Sequence, residues 1–320
     1  MTQISSLVTA GAKNGPYLWK GGKIMPWGDA TVHVTAVGHS SVSSVFEGIK
    51  AYWNPEHEEL YVFRLADHMR RLLESNRIVR LDQPMDVGDL VEATIDLLRA
   101  NETRRDTYIR PWTFIPGVVR EQIAPADTVV ETVIDTWPFE SQMGTERGCR
   151  AAISSWARIS DRSMPPRVKA FANYHNSRLA TAEAKENGHD WPILLNEAGR
   201  VTEGPGACIA LVRDGTVITP SLTSGVLDSI TRSAFLDVAS TDLALSVEER
   251  EVDRTELYVA DELFFIGTGW EILPIYAIDG LKVGDGRMGV IARAFDERYH
   301  SIVRGNDPTR LDWLTPVWRR

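Results

Sequence analysis

Turn signals cut this chain into short apolar runs that alternate with amphipathic helical stretches, and that punctuation points to a mixed α/β fold. Strands are predicted over residues 16–20, over 31–37 with Val32 and Val34 alternating, over 45–53, and over 60–64. The turn signal Asn54-Pro55 ends the third of these. Asp67 is expected to begin a helix with Met69, Leu72 and Leu73 on one face, and Asp86 to cap a second helix carrying Leu90, Ala93, Leu97 and Leu98. Further strands are expected over 107–114 and 129–136.

The region around residues 138–148 is polar, holds two glycines and shows little periodicity, as a linker does. The expected organisation is therefore a small N-terminal α/β domain over 1–138, a linker over 139–147 and a large domain over 148–320. In the second half the pattern predicts a strand over 150–156, an irregular loop around Pro165-Pro166, and a helix over 175–187 stopped by Gly188. Strands follow over 193–196, 209–213 and 216–219, separated by turns at Asn196-Glu197-Ala198-Gly199 and Asp214-Gly215. Thr231 opens a helix to about Ser240, strands are expected over 261–267 and 274–278, and a helix over 288–301 closes the pattern.

Composition removes several classes of function. With 320 residues, 43% hydrophobic and 25% charged, the chain has the balance of a soluble globular protein large enough for two domains. No run approaches the roughly 20 apolar residues of a membrane helix, and residues 1–13 lack a secretory pattern. A net charge of −9 without basic, aromatic-interleaved patches argues against nucleic acid. Two cysteines, Cys149 and Cys208, supply neither a disulfide framework nor a zinc site, so a cytoplasmic protein is expected. The seven histidines show no i, i+4 metal pair, and no metal is expected.

The informative motifs are Lys169-Ala170-Phe171-Ala172-Asn173-Tyr174, Val201-Thr202-Glu203-Gly204-Pro205-Gly206, Ser229-Ile230-Thr231-Arg232 and Gly267-Thr268-Gly269-Trp270-Glu271. Upstream stand Val45-Phe46-Glu47-Gly48, Phe63-Arg64-x-x-x-His68-x-x-Arg71 and Tyr108-Ile109-Arg110-Pro111. Read alone, Lys169 is a lysine after a proline-rich loop, Thr231 a helix cap, Tyr174 an aromatic at a helix start, and Arg110 a strand residue before proline. Together and in this order, from about Tyr17 onward, they resemble the class IV (fold type IV) aminotransferases that use pyridoxal phosphate (PLP), and among these the branched-chain amino acid aminotransferases.

The resemblance implies a two-domain fold with the cofactor at the domain interface. It implies that Lys169 carries PLP as a Schiff base and shuttles a proton, a task suited to a lysine amine in a buried or cationic setting. Glu203 would face the ring nitrogen, favouring its charged form. Tyr174 would bond the ring oxygen and Leu227 would pack on the ring. Arg64, Ile230, Thr231 and Thr268 would hold the phosphate, the middle pair where a helix begins. Phe46, Tyr108 and Arg110 would surround the substrate, with the turn at Gly269 and Trp270 offering N–H groups to its carboxylate. Amino donors (branched-chain L-amino acids, L-glutamate), 2-oxo acids and a homodimer are implied likewise.

Three departures bear on the substrate. Ser41-Val42 stands where many members have Tyr-Gly, Trp270 where a small residue is usual, and Pro138-Phe139-Glu140-Ser141-Gln142 where Pro-Trp-Gly-Ala-Tyr is common. Losing tyrosines removes pocket walls and Trp270 either fills the pocket or repacks the core, changes of a size that shifts substrate preference. An (R)-selective amine or D-amino-acid transaminase of the same fold is the nearest alternative reading. A PLP lyase and a silent PLP-binding protein lie further off.

Overall fold

A computed structural model describes residues 15–36, 44–117 and 129–319. Ser41 and Val42 lie outside the described residues. The chain gathers into two compact units that do not follow chain order. The first comprises Met1–Ser141, Val168–Ala172 and Ile302–Arg320, the second Gln142–Arg167 and Asn173–Ser301. The break after Ser141 falls within the polar stretch expected to be a linker. The two short returns to the first unit are not expressed by any division into consecutive stretches.

Among the described residues the first unit holds an eight-stranded sheet. Its strands are β1 (Tyr17–Lys20), β2 (Lys23–Pro26), β3 (Val45–Phe46), β4 (Ile49–Asn54), β5 (Glu59–Phe63), β6 (Thr107–Phe114) and β7 (Glu131–Pro138), with β16 (Leu314–Pro316) added late in the chain. The order is β16-β5-β4-β6-β7-β1-β2, with β3 also on β6, and every pairing is antiparallel. Helices α1 (Leu65–Ile78) and α2 (Val87–Ala100) bury Met69, Leu72, Leu90 and Leu97 with Ile49, Ala51, Leu60 and Val62 of the sheet. Asp86 caps α2 as expected and, with Asp89, forms a reciprocal capping box. Helix α1 starts earlier than Asp67, because Arg64 adopts the left-handed conformation (φ 49°, ψ 38°) and turns the chain into the helix.

The second unit holds another eight-stranded sheet: β8 (Cys149–Ile153), β9 (Trp191–Ile193), β10 (Cys208–Arg213), β11 (Thr216–Pro220), β12 (Ser246–Arg250), β13 (Glu262–Gly267), β14 (Glu271–Ile278) and β15 (Leu281–Lys282). The order is β12-β11-β10-β13-β14-β8-β9, with β15 on β14. Parallel neighbours need crossovers, and helices supply them: α3 (Asn173–Glu186) joins β8 to β9 and α4 (Ile230–Asp237) joins β11 to β12. Residues alternate across β13, so Phe265 joins the core with Ile209, Leu211 and Leu273. Phe264 faces the other way onto Phe235 (5.4 Å between ring centres), which packs on Phe295 (4.4 Å) of α5 (Val290–Val303). Gly188, at φ 78°, ends α3 where the sequence places the stop.

The strand expected over 31–37 is absent over 31–36: this stretch is loop and turn, and Val32 and Val34 are 45% and 69% exposed. Alternation alone did not supply a partner strand. The strand expected over 45–53 is broken at Glu47-Gly48 into β3 and β4. In place of the strand expected over 193–196, β9 ends at Ile193 and Asn196 opens a turn closed by Gly199 N–H to its carbonyl (2.9 Å).

Candidate active site

In the first unit, Lys169 lies on a five-residue return of the chain that pairs with β3. Its carbonyl accepts from the Phe46 N–H (2.9 Å), its own N–H meets Ser75 Oγ (3.4 Å), and Phe171 N–H donates to Ser44 (3.1 Å). Phe171 stacks on Phe46 (4.1 Å, 17°), and the Lys169 amine sits 5.0 Å from the Phe46 ring centre. Lys169 is half-buried, and its backbone is fixed from both sides.

Behind Phe46, Glu47 is fully buried and accepts from Arg71 Nε and Nη2 (both 2.7 Å), with His68 Nδ1 at 2.8 Å. Burial pushes the Glu47 carboxyl up, but the Arg71 charge and the bonds from His68 and Arg71 outweigh it and hold the group at about 2. Burial pushes His68 down against the pull of Glu47, and the nearby Lys169 charge adds to that. Glu47, His68 and Arg71 were not among the expected site residues. The signal was present, since His68 and Arg71 are three apart on one helical face beside the Glu47 motif.

Arg64 turns its Nε to Asp67 and lies 5.3 Å from the Trp313 ring centre. Among the described residues its Nη groups make no hydrogen bond, which leaves the end of the fork for an anion. Tyr108, Arg110 and Trp112 alternate on one half-exposed face of β6. Tyr108 stacks on Trp137 of β7 (4.8 Å, 27°) and meets Phe139 edge-on (5.5 Å). Arg110 faces Asp135 across the ladder. Burial raises the Asp135 carboxyl above its ordinary value, against the opposing charge of Arg110 and the amide of Thr136.

In the second unit, Glu203 is buried and fully held. Arg158 Nη2 meets Oε1 at 2.5 Å, while the Leu227 N–H (3.2 Å) and Cys208 Sγ (3.9 Å) donate to Oε2. Arg158, itself buried, also reaches the Gly225 carbonyl (3.4 Å). No sequence signal marked it. Tyr174 stands in the first turn of α3, and a Cβ on Gly206 would meet its ring at 3.7 Å, so Gly206 keeps this side of the ring open. Ser229 caps α4, its Oγ accepting from Arg232 N–H (3.2 Å), and Ile230 and Thr231 form the first turn. The Thr231 and Thr268 hydroxyls lie 3.4 Å apart. A helix start flanked by two hydroxyls is a phosphate-type site, and a fixed buried carboxylate is a partner for a protonated ring nitrogen. These features fit the phosphate-bearing cofactor that the resemblance implies.

The structure places Trp270 in the turn between β13 and β14, with its indole against Trp191 (4.7 Å) and Phe265 (5.1 Å). The half-buried side chain thereby packs against the core of the second unit. Gln142 is tied by its N–H to Glu271 (2.8 Å). Cys149 and Cys208 are both buried thiols, and burial pushes Cys149 up to about 12. Among the described residues there is no cluster of metal-ligating side chains, and no helix is long and apolar enough to cross a membrane.

The profile of "Amino-transferase class IV" matches residues 44–278, and the chain belongs to that family. It is 39% identical to a probable branched-chain-amino-acid aminotransferase of Aquifex aeolicus, over 93% of this chain and 95% of the relative. With the branched-chain-amino-acid aminotransferase of Escherichia coli K12 the identity is 35%, over 95% and 98% of the two chains. The crystal structure of the Thermobaculum terrenum branched-chain amino acid aminotransferase in its PLP form superposes with a TM-score of 0.93 at 45% identity, covering 96% of this chain and 100% of that one. The two sheets are therefore those of the fold type IV aminotransferases.

Proposed function

We propose that this class IV aminotransferase uses PLP to move an amino group from a branched-chain L-amino acid or L-glutamate to a 2-oxo acid. The observation that carries the reading is the Lys169 amine, held 5.0 Å from the Phe46 ring centre on a backbone pinned by Phe46 and Ser75. Arg64, Ile230, Thr231 and Thr268 are assigned to the cofactor phosphate, Glu203 to its ring nitrogen, Tyr174 to its ring oxygen and Leu227 to its face. Phe46, Tyr108, Arg110, Gly269 and Trp270 are assigned to the substrate, the last two through their backbone. PLP, when bound, supplies an aldehyde that captures an amine and a ring that accepts the electrons released as the α-proton leaves.

The chain's own residues supply the rest. Lys169 Nζ takes the proton from the donor's α-carbon and gives it back later in the cycle. Arg158 and the Leu227 amide keep Glu203 in one rotamer, so its carboxylate is presented without reorganisation. Tyr108, backed by Trp137, walls the apolar part of the donor. The organisation that goes with this reading is a homodimer in the cytoplasm, with the polar stretch 139–147 as the linker between the two domains.

The test is direct. Purified protein, reconstituted with PLP, should show a visible absorption band that L-leucine and L-glutamate each bleach without any 2-oxo acid. Lys169→Ala should lower turnover by about 10²–10⁴-fold or more. Bleaching by (R)-1-phenylethylamine alone would overturn the substrate. No visible band after reconstitution would overturn the cofactor.

A further inference from the structure

The β6–β7 ladder sets Arg110 opposite Asp135 and Tyr108 opposite Trp137, so these four side chains share one face of the sheet. The guanidinium carbon of Arg110 lies 5.1 Å from the Trp112 ring centre and 5.0 Å from that of Trp137. One Nη stands 3.8 Å from Asp135 Oδ2. The Nε is buried and makes no hydrogen bond among the described residues. The Asp135 side chain is 8% exposed and that of Arg110 36%, so a buried anion stands behind a cation that reaches the surface of this face.

We propose that Asp135 is a specificity-determining residue: it weakens the hold of the Arg110 face on substrates with a second carboxylate and suits it to neutral, apolar side chains. This rests on the assignment of Arg110 to the substrate. A carboxylate drawn to the guanidinium also approaches the fixed Asp135 charge, and attraction to one is offset by repulsion from the other. An apolar side chain meets neither charge and packs on Tyr108, Trp112 and Trp137. Lys50, opposite Tyr108 on β4, is a second cation here, its amine 3.3 Å from the Glu140 carbonyl. It acts with or without Asp135, so replacing the aspartate isolates that charge. With one partner of the pair reaching the surface, removing one charge is worth about two- to fivefold in affinity.

Glutarate and 4-methylpentanoate, titrated calorimetrically into the holoenzyme, separate the two contributions. The wild type should bind glutarate more weakly than 4-methylpentanoate. Asp135→Asn should tighten glutarate about two- to fivefold and leave 4-methylpentanoate unchanged. The ratio of kcat/KM for 2-oxoglutarate to that for 4-methyl-2-oxopentanoate should rise by a similar factor. In an Arg110→Gln background the glutarate gain should disappear, as expected of coupled neighbours. Equal shifts for both ligands, or none, would overturn the proposal. So would a wild type that binds glutarate as tightly as 4-methylpentanoate, a result that needs no variant to fold. An enzyme that fails to transaminate L-leucine sinks the proposed function instead, whatever glutarate does.

Discussion

Glu47 shows at residue scale how this fold keeps charge inside. A carboxylate with no exposure is tolerable only when it is paired and hydrogen-bonded, and Arg71 and His68 supply three bonds to its two oxygens. Glu47→Gln leaves Arg71 buried with half its partner, and we expect a loss of about 3–5 kcal/mol in urea denaturation. The pH dependence has a definite sign. The carboxyl is depressed in the folded chain, from 4.5 to about 2, so its contribution is complete above about 4.5 and is lost as pH falls towards 2. Wild-type stability should fall across that window, and the fall should be shallower in Glu47→Gln. Parallel curves would show that Glu47 is not the group responsible. The motifs singled out Lys169, Glu203 and Arg64 as candidates, since each belongs to a local string of residues. Arg158 was not legible, because its pairing with Glu203 spans two loops and neither local string marks it.

At the scale of elements, the break between β3 and β4 shows what one glycine decides. A Cβ on Gly48 would lie 1.9 Å from Tyr108 Oη and 2.9 Å from Cζ, so the missing side chain at Gly48 makes room for the Tyr108 hydroxyl while the ring stacks on Trp137. Gly48→Ala should cost about 1–3 kcal/mol and displace Tyr108, read as a lower Tm and a raised KM for L-leucine. Adding Tyr108→Phe should restore part of the Tm, because the hydroxyl is the worst contact and the ring carbon remains close. A double variant no more stable than Gly48→Ala would overturn this account. Central strands were legible because they carry apolar runs, whereas β2, β12 and β16 were not. All three are edge strands, and edges carry charge or proline in place of an apolar pattern: Lys23, Glu248-Glu249-Arg250 and Pro316.

At the scale of the whole chain, sequence order and spatial order part company after Ser301, where the last residues return to the first unit. Glu59 holds that return. Its Oε1 accepts from the N–H groups of Leu60 (2.9 Å), Val317 (2.9 Å) and Trp318 (2.7 Å), and its Oε2 from Arg319 (2.8 Å). A nest of backbone N–H groups around a buried carboxylate has no periodic signature, so the sequence gives no hint of it. Glutamine in its place keeps one acceptor oxygen and sets an NH₂ against N–H donors. Glu59→Gln should therefore cost about 1–3 kcal/mol, seen as a lower urea midpoint with an unchanged slope. The amides of Val317, Trp318 and Arg319 should exchange faster in the variant, while those of β13 in the second unit should not change. If these three amides stay as protected as in the wild type, pairing of β16 with β5, and not Glu59, holds the return in place.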